Sequence, residues 1–211
     1  MKHYWLNKRN NEKLILFFNG WGMDEKSVQH LNCDDFDVLV FFDYRTLQTD
    51  ANIWNEINSY SEIYLAGWSM GVMISSIFAE RISNIVSKIA IAGTLLPIDD
   101  AYGIPVKIYE LTANNFNDLS RKKFLRKMFA VDDSKFINRD TPALKDELIA
   151  LQGVSAMDVD FDKAIIPLSD KIIPVQNQIN FWQAKSQTKI VQLQCGHYPF
   201  FEFKSWKEII L

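Results

Sequence analysis

The chain has 211 residues, 48% of them hydrophobic and 13% aromatic. That is enough apolar material for one well-packed α/β domain and too much for a disordered chain. The formal net charge of −3 gives no support to nucleic-acid binding, and no apolar run approaches the ~20 residues of a membrane span.

The opening segment, residues 1–10, shows no long apolar stretch and no small-residue cleavage site, so no secretory leader is expected there. The two cysteines, Cys33 and Cys195, suggest no disulfide framework, and a reduced cytoplasmic setting is the expectation. Leu14-Ile15-Leu16-Phe17-Phe18 is a continuous apolar run, as in a strand buried on both faces of a parallel sheet. Asn19-Gly20-Trp21-Gly22 ends it as a turn. Residues 24–31 read as a short helix, and Asp37-Val38-Leu39-Val40-Phe41-Phe42 as a second buried strand. A weak helix over about 51–59 precedes the strand Ile63-Tyr64-Leu65-Ala66. A helix then runs from about 72 to 83, followed by a strand at residues 87–93. Strands alternating with helices at this spacing predict right-handed crossovers and a mostly parallel sheet.

Between about 95 and 160 the pattern changes to charge and helical periodicity. Residues 120–129 form one predicted helix, and Thr141-Pro142 opens another, with Thr141 as N-cap and Pro142 at N1, reaching about 152. This block, about 112–158, is expected to be a helical lid inserted over the carboxyl edge of the sheet. Alternation resumes with a strand at 164–168, a helix at 174–184 and a last strand at 189–193. The expectation is a single domain, residues 1–211, of the α/β-hydrolase fold.

Gly67-Trp68-Ser69-Met70-Gly71 lies between a strand-like and a helix-like run, the context a nucleophile elbow needs. A serine on that sharp turn projects its hydroxyl at the carboxyl end of the sheet, beside the first amides of a helix. A catalytic serine needs a base, and the base an acid to orient it. Of three histidines, His3 lies in an N-terminus expected to be mobile and His30 on the short helix before the second strand. His197 follows the last strand behind Gly196, where the chain order Ser, Asp, His puts the base. Asp170 lies on the loop after the penultimate strand, whereas Asp158, Asp160 and Asp162 precede that strand and fall at the wrong end of the sheet. Ser69, Asp170 and His197 are therefore the candidate catalytic residues. The backbone amides of Trp21 and Met70 are the candidate oxyanion donors. Nothing in the spacing of His and Cys predicts a metal site, and no phosphate loop or dinucleotide fingerprint occurs. No cofactor is expected.

Phe17-Phe18-Asn19-Gly20-Trp21-Gly22-Met23-Asp24, Gly67-Trp68-Ser69-Met70-Gly71 and Gly103-Ile104-Pro105 together resemble the pimeloyl-[acyl-carrier protein] methyl ester esterases of biotin synthesis, most closely the compact BioG type. The resemblance spans nearly the whole chain. It implies hydrolysis of a methyl ester at the far end of a pimeloyl chain carried on acyl-carrier protein, with no cofactor. Asn19 and Val72 depart from the wider α/β-hydrolase pattern, at a position before the oxyanion loop and one after the elbow glycine. Trp21, Trp68, Met70, Phe124 and Met128 are candidate walls for the acyl channel, and each reads equally well as plain core.

In the helix from residue 120, Lys122, Lys123, Arg126 and Lys127 fall in one sector, opposite Phe124, Leu125, Met128 and Phe129. A solvated amphipathic helix is the plain reading. Because acyl-carrier protein is strongly acidic, the resemblance adds a docking role for those four basic residues, with Arg121 reaching a phosphate at the cleft rim. No nucleic-acid or membrane partner is expected, and the chain is expected to be a monomer. Two rival readings stay open: a generalist carboxylesterase or thioesterase with the same triad, and a non-catalytic carrier-binding protein on this fold.

Overall fold

The computed structural model describes residues 1–129 and 139–211, with the side chain of Phe129 also outside the description. The expected lid includes residues 130–138, which lie outside the described residues. Seven strands form one sheet in the order β1-β3-β2-β4-β5-β6-β7: β1 (Lys2–Asn7), β2 (Lys13–Phe18), β3 (Phe36–Phe42), β4 (Glu62–Trp68), β5 (Ile85–Ile91), β6 (Lys163–Pro167) and β7 (Lys189–Leu193). All neighbours are parallel except β1, which pairs antiparallel with β3. The helices are α1 (Asn52–Ile57), α2 (Met70–Ala79), α3 (Val106–Asn114), α4 (Asp118–Phe129), α5 (Thr141–Leu151), α6 (Val175–Gln183) and α7 (Trp206–Ile210). This is the α/β-hydrolase fold read from the sequence.

The centre of the sheet follows from sequence. In β2 and β3 nearly every side chain is buried, as a parallel strand covered on both faces requires. Stacked rings of Phe41, Phe18, Phe78 and Trp54 tie β3, β2, α2 and α1 together, with centroids 4.9–5.8 Å apart. Chain order places the site. From β2 the chain moves outward to β3 and then crosses back to β4 on the other flank of β2. The crevice outside the carboxyl ends of β2 and β4 is therefore the topological switch point, where open α/β sheets bind ligands. Phe18 is in register with Gly67, so the loop after β2 and the turn after β4 emerge side by side.

Several local expectations differ from the structure. The N-terminus is not loose: β1 holds it, His3 packs 5.7 Å from the Phe41 ring, and the Met1 ammonium donates to the Thr46 and Gln48 carbonyls. Residues 24–31 contain only a 3-10 turn at Glu25–Ser27, capped by Asp24. His30 stands beyond that turn, its Nε2 3.1 Å from the Phe200 carbonyl. The N-cap of α5 is Asp140, whose carboxylate accepts from Ala143 N–H at 2.8 Å, while Thr141 donates its hydroxyl to Asp118. The helices between β5 and β6 begin at Val106 with α3, earlier than the expected 112.

Candidate active site

Ser69 is the residue between β4 and α2, with φ 56° and ψ −121°. A non-glycine residue rarely adopts that backbone, and the strain is carried by close packing around it. Gly71 shows how close: an ideal Cβ there would lie 2.0 Å from the Phe18 carbonyl oxygen. Only glycine lets α2 begin against the end of β2.

The three sequence-predicted side chains meet. His197 Nε2 is 3.0 Å from Ser69 Oγ, and His197 Nδ1 is 2.7 Å from Asp170 Oδ2. A carboxylate only accepts, so Nδ1 carries the proton and the Nε2 lone pair faces the serine hydroxyl. All three groups are buried. The Trp68 indole N–H donates to the His197 carbonyl at 3.0 Å and fixes the loop that carries the imidazole. Asp170 is held by its own turn, accepting from the Ile172 and Ile173 amides at 2.8 and 3.0 Å. The rival carboxylates stand elsewhere: Asp162 accepts from Lys88 N–H and Asp158 pairs with Lys185. Cys195, two residues from His197, is held as a thiol: burial, with the nearby charges of Glu202 and Asp170, pushes it up to about 11.

The candidate oxyanion loop is pinned on both sides of Trp21. Asn19 Oδ1 accepts from Gly20 N–H at 2.9 Å, while its amide nitrogen donates to Asp24 O and Ser27 Oγ. Thus Asn19, a departure from the wider family pattern, is the residue that shapes this loop. Gly22 N–H donates to Glu147. Among the described residues, neither the Trp21 amide nor the Met70 amide is committed to a protein acceptor. Trp21, Met70 and Ser69 line the same cavity, so both amides remain candidate oxyanion donors.

A cavity of about 390 Å³ opens over Ser69. Trp21, Trp68, Met70, Phe124 and Met128, all expected channel walls, line it. Ile104, just before α3, and Ile108 and Leu111 of α3 also line it and were not among the expected walls. Lys123 and Lys127 of α4 and Lys171 sit among the lining residues. The basic residues of α4 therefore divide: Lys123 and Lys127 border the cavity, whereas Lys122 and Arg126 are exposed away from it. Arg121 does not line the cavity; its guanidinium is half-buried and reaches Thr141 Oγ1 at 3.4 Å, because residue 121 shares its helical face with buried Leu125 and Met128.

Two functional candidates escaped sequence reasoning. Gln178 of α6 is fully buried and donates to Asp170 Oδ2 at 2.8 Å and to the Ile173 carbonyl at 3.1 Å. Glu147 of α5 is a fully buried carboxylate. Burial raises its pKa, against the opposing effect of Arg139 and the Tyr44 amide. A polar residue on the inward stripe of a predicted amphipathic helix was the available signal for each. No helix among the described residues is long and apolar enough to cross a membrane, and no group of three or more acidic, His or Cys residues there could hold a metal ion.

Comparisons with known proteins identify the family and the fold. The family model described as pimeloyl-ACP methyl esterase BioG matches residues 1–209. A malonyl-[acyl-carrier protein] O-methyltransferase of Bacteroides fragilis is 35% identical over 198 residues, 89% of this chain; the chain spans 40% of that relative's length. The crystal structure of BioG from Haemophilus influenzae superposes with a TM-score of 0.88 at 30% identity, covering 100% of both chains. An enol-lactonase from Burkholderia xenovorans shares the fold alone, with a TM-score of 0.65 and 16% identity over 95% of this chain and 90% of that one.

Proposed function

Because the chain belongs to the BioG family of pimeloyl-ACP methyl esterases, we propose that it hydrolyses the methyl ester of pimeloyl-[acyl-carrier protein], giving pimeloyl-[acyl-carrier protein] and methanol. The observation that carries the reading is the continuous hydrogen-bond chain Ser69–His197–Asp170 under an apolar cavity.

In this mechanism Ser69 Oγ attacks the ester carbonyl carbon as His197 Nε2 takes its proton. The Trp21 and Met70 amides hold the resulting oxyanion, a role worth ~10²–10³ in kcat per donor in comparable sites. Collapse breaks the bond to the methoxy oxygen, which leaves as methanol with the proton from His197. Water then attacks the acyl-enzyme, His197 taking its proton and returning it to Ser69. Asp170 keeps Nδ1 protonated and stabilises the imidazolium. No step calls for a cofactor, and cytoplasmic action as a monomer accords with a soluble carrier as substrate.

The acyl chain would lie among Trp21, Trp68, Phe124 and Met128 and the α3 wall, under a lid made of α3, α4 and α5. Lys122, Lys123, Arg126 and Lys127 would attract the acidic carrier. The test compares kcat/KM for the carrier-linked methyl ester with that for a short nitrophenyl ester. A strong preference for the carrier substrate is expected. Lys122→Glu with Arg126→Glu, both outside the cavity, should lower carrier turnover about 10-fold or more through association and leave the small ester unchanged. Equal turnover of both substrates, insensitive to these charges, would instead favour a generalist esterase.

A further inference from the structure

Glu147 lies on α5, 125 residues from the oxyanion loop in sequence, yet its carboxylate is built into that loop. Oε2 accepts from Gly22 N–H at 3.1 Å and from Arg139 Nη1 at 2.7 Å. Oε1 accepts from Tyr44 N–H at 2.7 Å. Tyr44 turns its other end back to the same loop: its hydroxyl donates to the Asn19 carbonyl at 2.8 Å. The loop is thereby gripped at both ends, directly at Gly22 and through Tyr44 at Asn19, with the Trp21 amide between. Gly22 has φ 77°, the left-handed region that glycine enters without a side-chain penalty. The Trp21 side chain adds a parallel tie, its indole N–H donating to the Leu144 carbonyl of α5 at 3.0 Å.

We propose that Glu147 is a positioning residue for ester hydrolysis, holding the oxyanion loop so that the Trp21 amide aims at the developing oxyanion. The proposal rests on the esterase reading above. Burying a carboxylate is costly unless every lone pair is used, and an apolar residue of similar volume would pack α5 as well or better. What the carboxylate supplies that an apolar residue could not is an acceptor for the Gly22 and Tyr44 amides. Glu147 does not touch substrate, so its effect should appear in transition-state stabilisation rather than in substrate binding.

The experiment uses two variants of the full chain. Glu147→Gln keeps the shape but has one acceptor oxygen for three donors. Arg139→Met with Glu147→Leu replaces the buried pair by apolar residues, a change that commonly preserves folding. Each is assayed on a soluble nitrophenyl ester and titrated with a boronic acid that forms a tetrahedral adduct at Ser69. Expected is a fall of about 10- to 100-fold in kcat, below the loss of a donor outright, with KM nearly unchanged. Boronate affinity should fall by a similar factor while thermal unfolding stays cooperative. A folded double variant with wild-type kcat and wild-type boronate affinity would overturn the positioning role. Failure of the wild-type protein to hydrolyse any ester or take the boronate would overturn the esterase reading, and this inference with it.

Discussion

Replacing Gln178 with leucine should slow ester hydrolysis while leaving the protein folded. The Asp170 carboxylate accepts four hydrogen bonds, from Ile172 N, Ile173 N, Gln178 Nε2 and His197 Nδ1. The Gln178 bond ends on a charged group and contributes ~1.5–3 kcal/mol; the second, to the Ile173 carbonyl, contributes ~1 kcal/mol. Against this, Gln178 Oε1 is buried with no hydrogen-bond partner among the described residues, and leucine removes that penalty of ~1–3 kcal/mol. The net cost should lie between about zero and 3 kcal/mol. Activity has no such compensation. Asp170 would keep two backbone donors and His197 but lose the contact that locks Oδ2 toward the imidazole. A kcat loss of about tenfold is expected, ~1.4 kcal/mol, well short of the ~10⁴ that follows when such an acid becomes an amide. Gln178→Glu sharpens the test, because two adjoining carboxyls share one proton. With the proton shared, the new side chain can still donate to Asp170. As pH rises and the proton leaves, activity should fall, an alkaline limb absent from the wild type. The assay is nitrophenyl ester hydrolysis between pH 5 and 9 alongside thermal unfolding. Wild-type kcat in the leucine variant together with a wild-type pH profile in the glutamate variant would refute the reasoning.

Three further outcomes are expected. Gly71→Ala drives a Cβ into the Phe18 carbonyl and should destabilise by more than the ~1–3 kcal/mol of ordinary overpacking, read as lost soluble expression or a lowered Tm with no esterase activity. Trp21→Phe keeps the ring contacts with Phe116 and Phe124 but loses the bond to Leu144, and should lower Tm by about 2–4 °C, for ~1 kcal/mol, in calorimetry. Burial pushes the Asp43 carboxyl up, but hydrogen bonds from Arg45 and Lys2 and the charges of Arg139 and Arg45 outweigh it and hold the group well below the usual range. Its folded pKa is thus depressed, so its stabilisation is present above the ordinary carboxylate pKa and is lost as pH falls below it. Urea unfolding should show Asp43→Asn most destabilising at pH 7, with the difference shrinking toward pH 3; a constant difference across that range would contradict the assignment.

The residues legible in sequence were those whose chemistry is local or fixed by topology. Ser69 announces itself through its glycines, and His197 and Asp170 through their places after successive strands. What escaped depends on partners distant in the chain or on weak local signals. The β1 segment alternates exposed and half-buried residues and becomes a strand only by pairing with β3. The α3 helix has no side-chain cap, and its Ile108 and Leu111 face the cavity rather than a core, so its apolar pattern is diluted. Asp140 and Thr141 are both good caps before Pro142, and the choice falls to Asp140 because its carboxylate reaches the Ala143 amide. Glu147 and Gln178 look like ordinary helical polar residues until the fold sets the loop after β2 and the Asp170 carboxylate against them.

The most direct test is methanol release from the methyl ester of pimeloyl-[acyl-carrier protein], measured for the wild-type protein and for Ser69→Ala. The account predicts release by the wild type and none above background by the variant. Equal release by both would remove Ser69 as the nucleophile, and no release by a wild type that still cleaves a short nitrophenyl ester would keep the triad and discard the carrier-linked substrate.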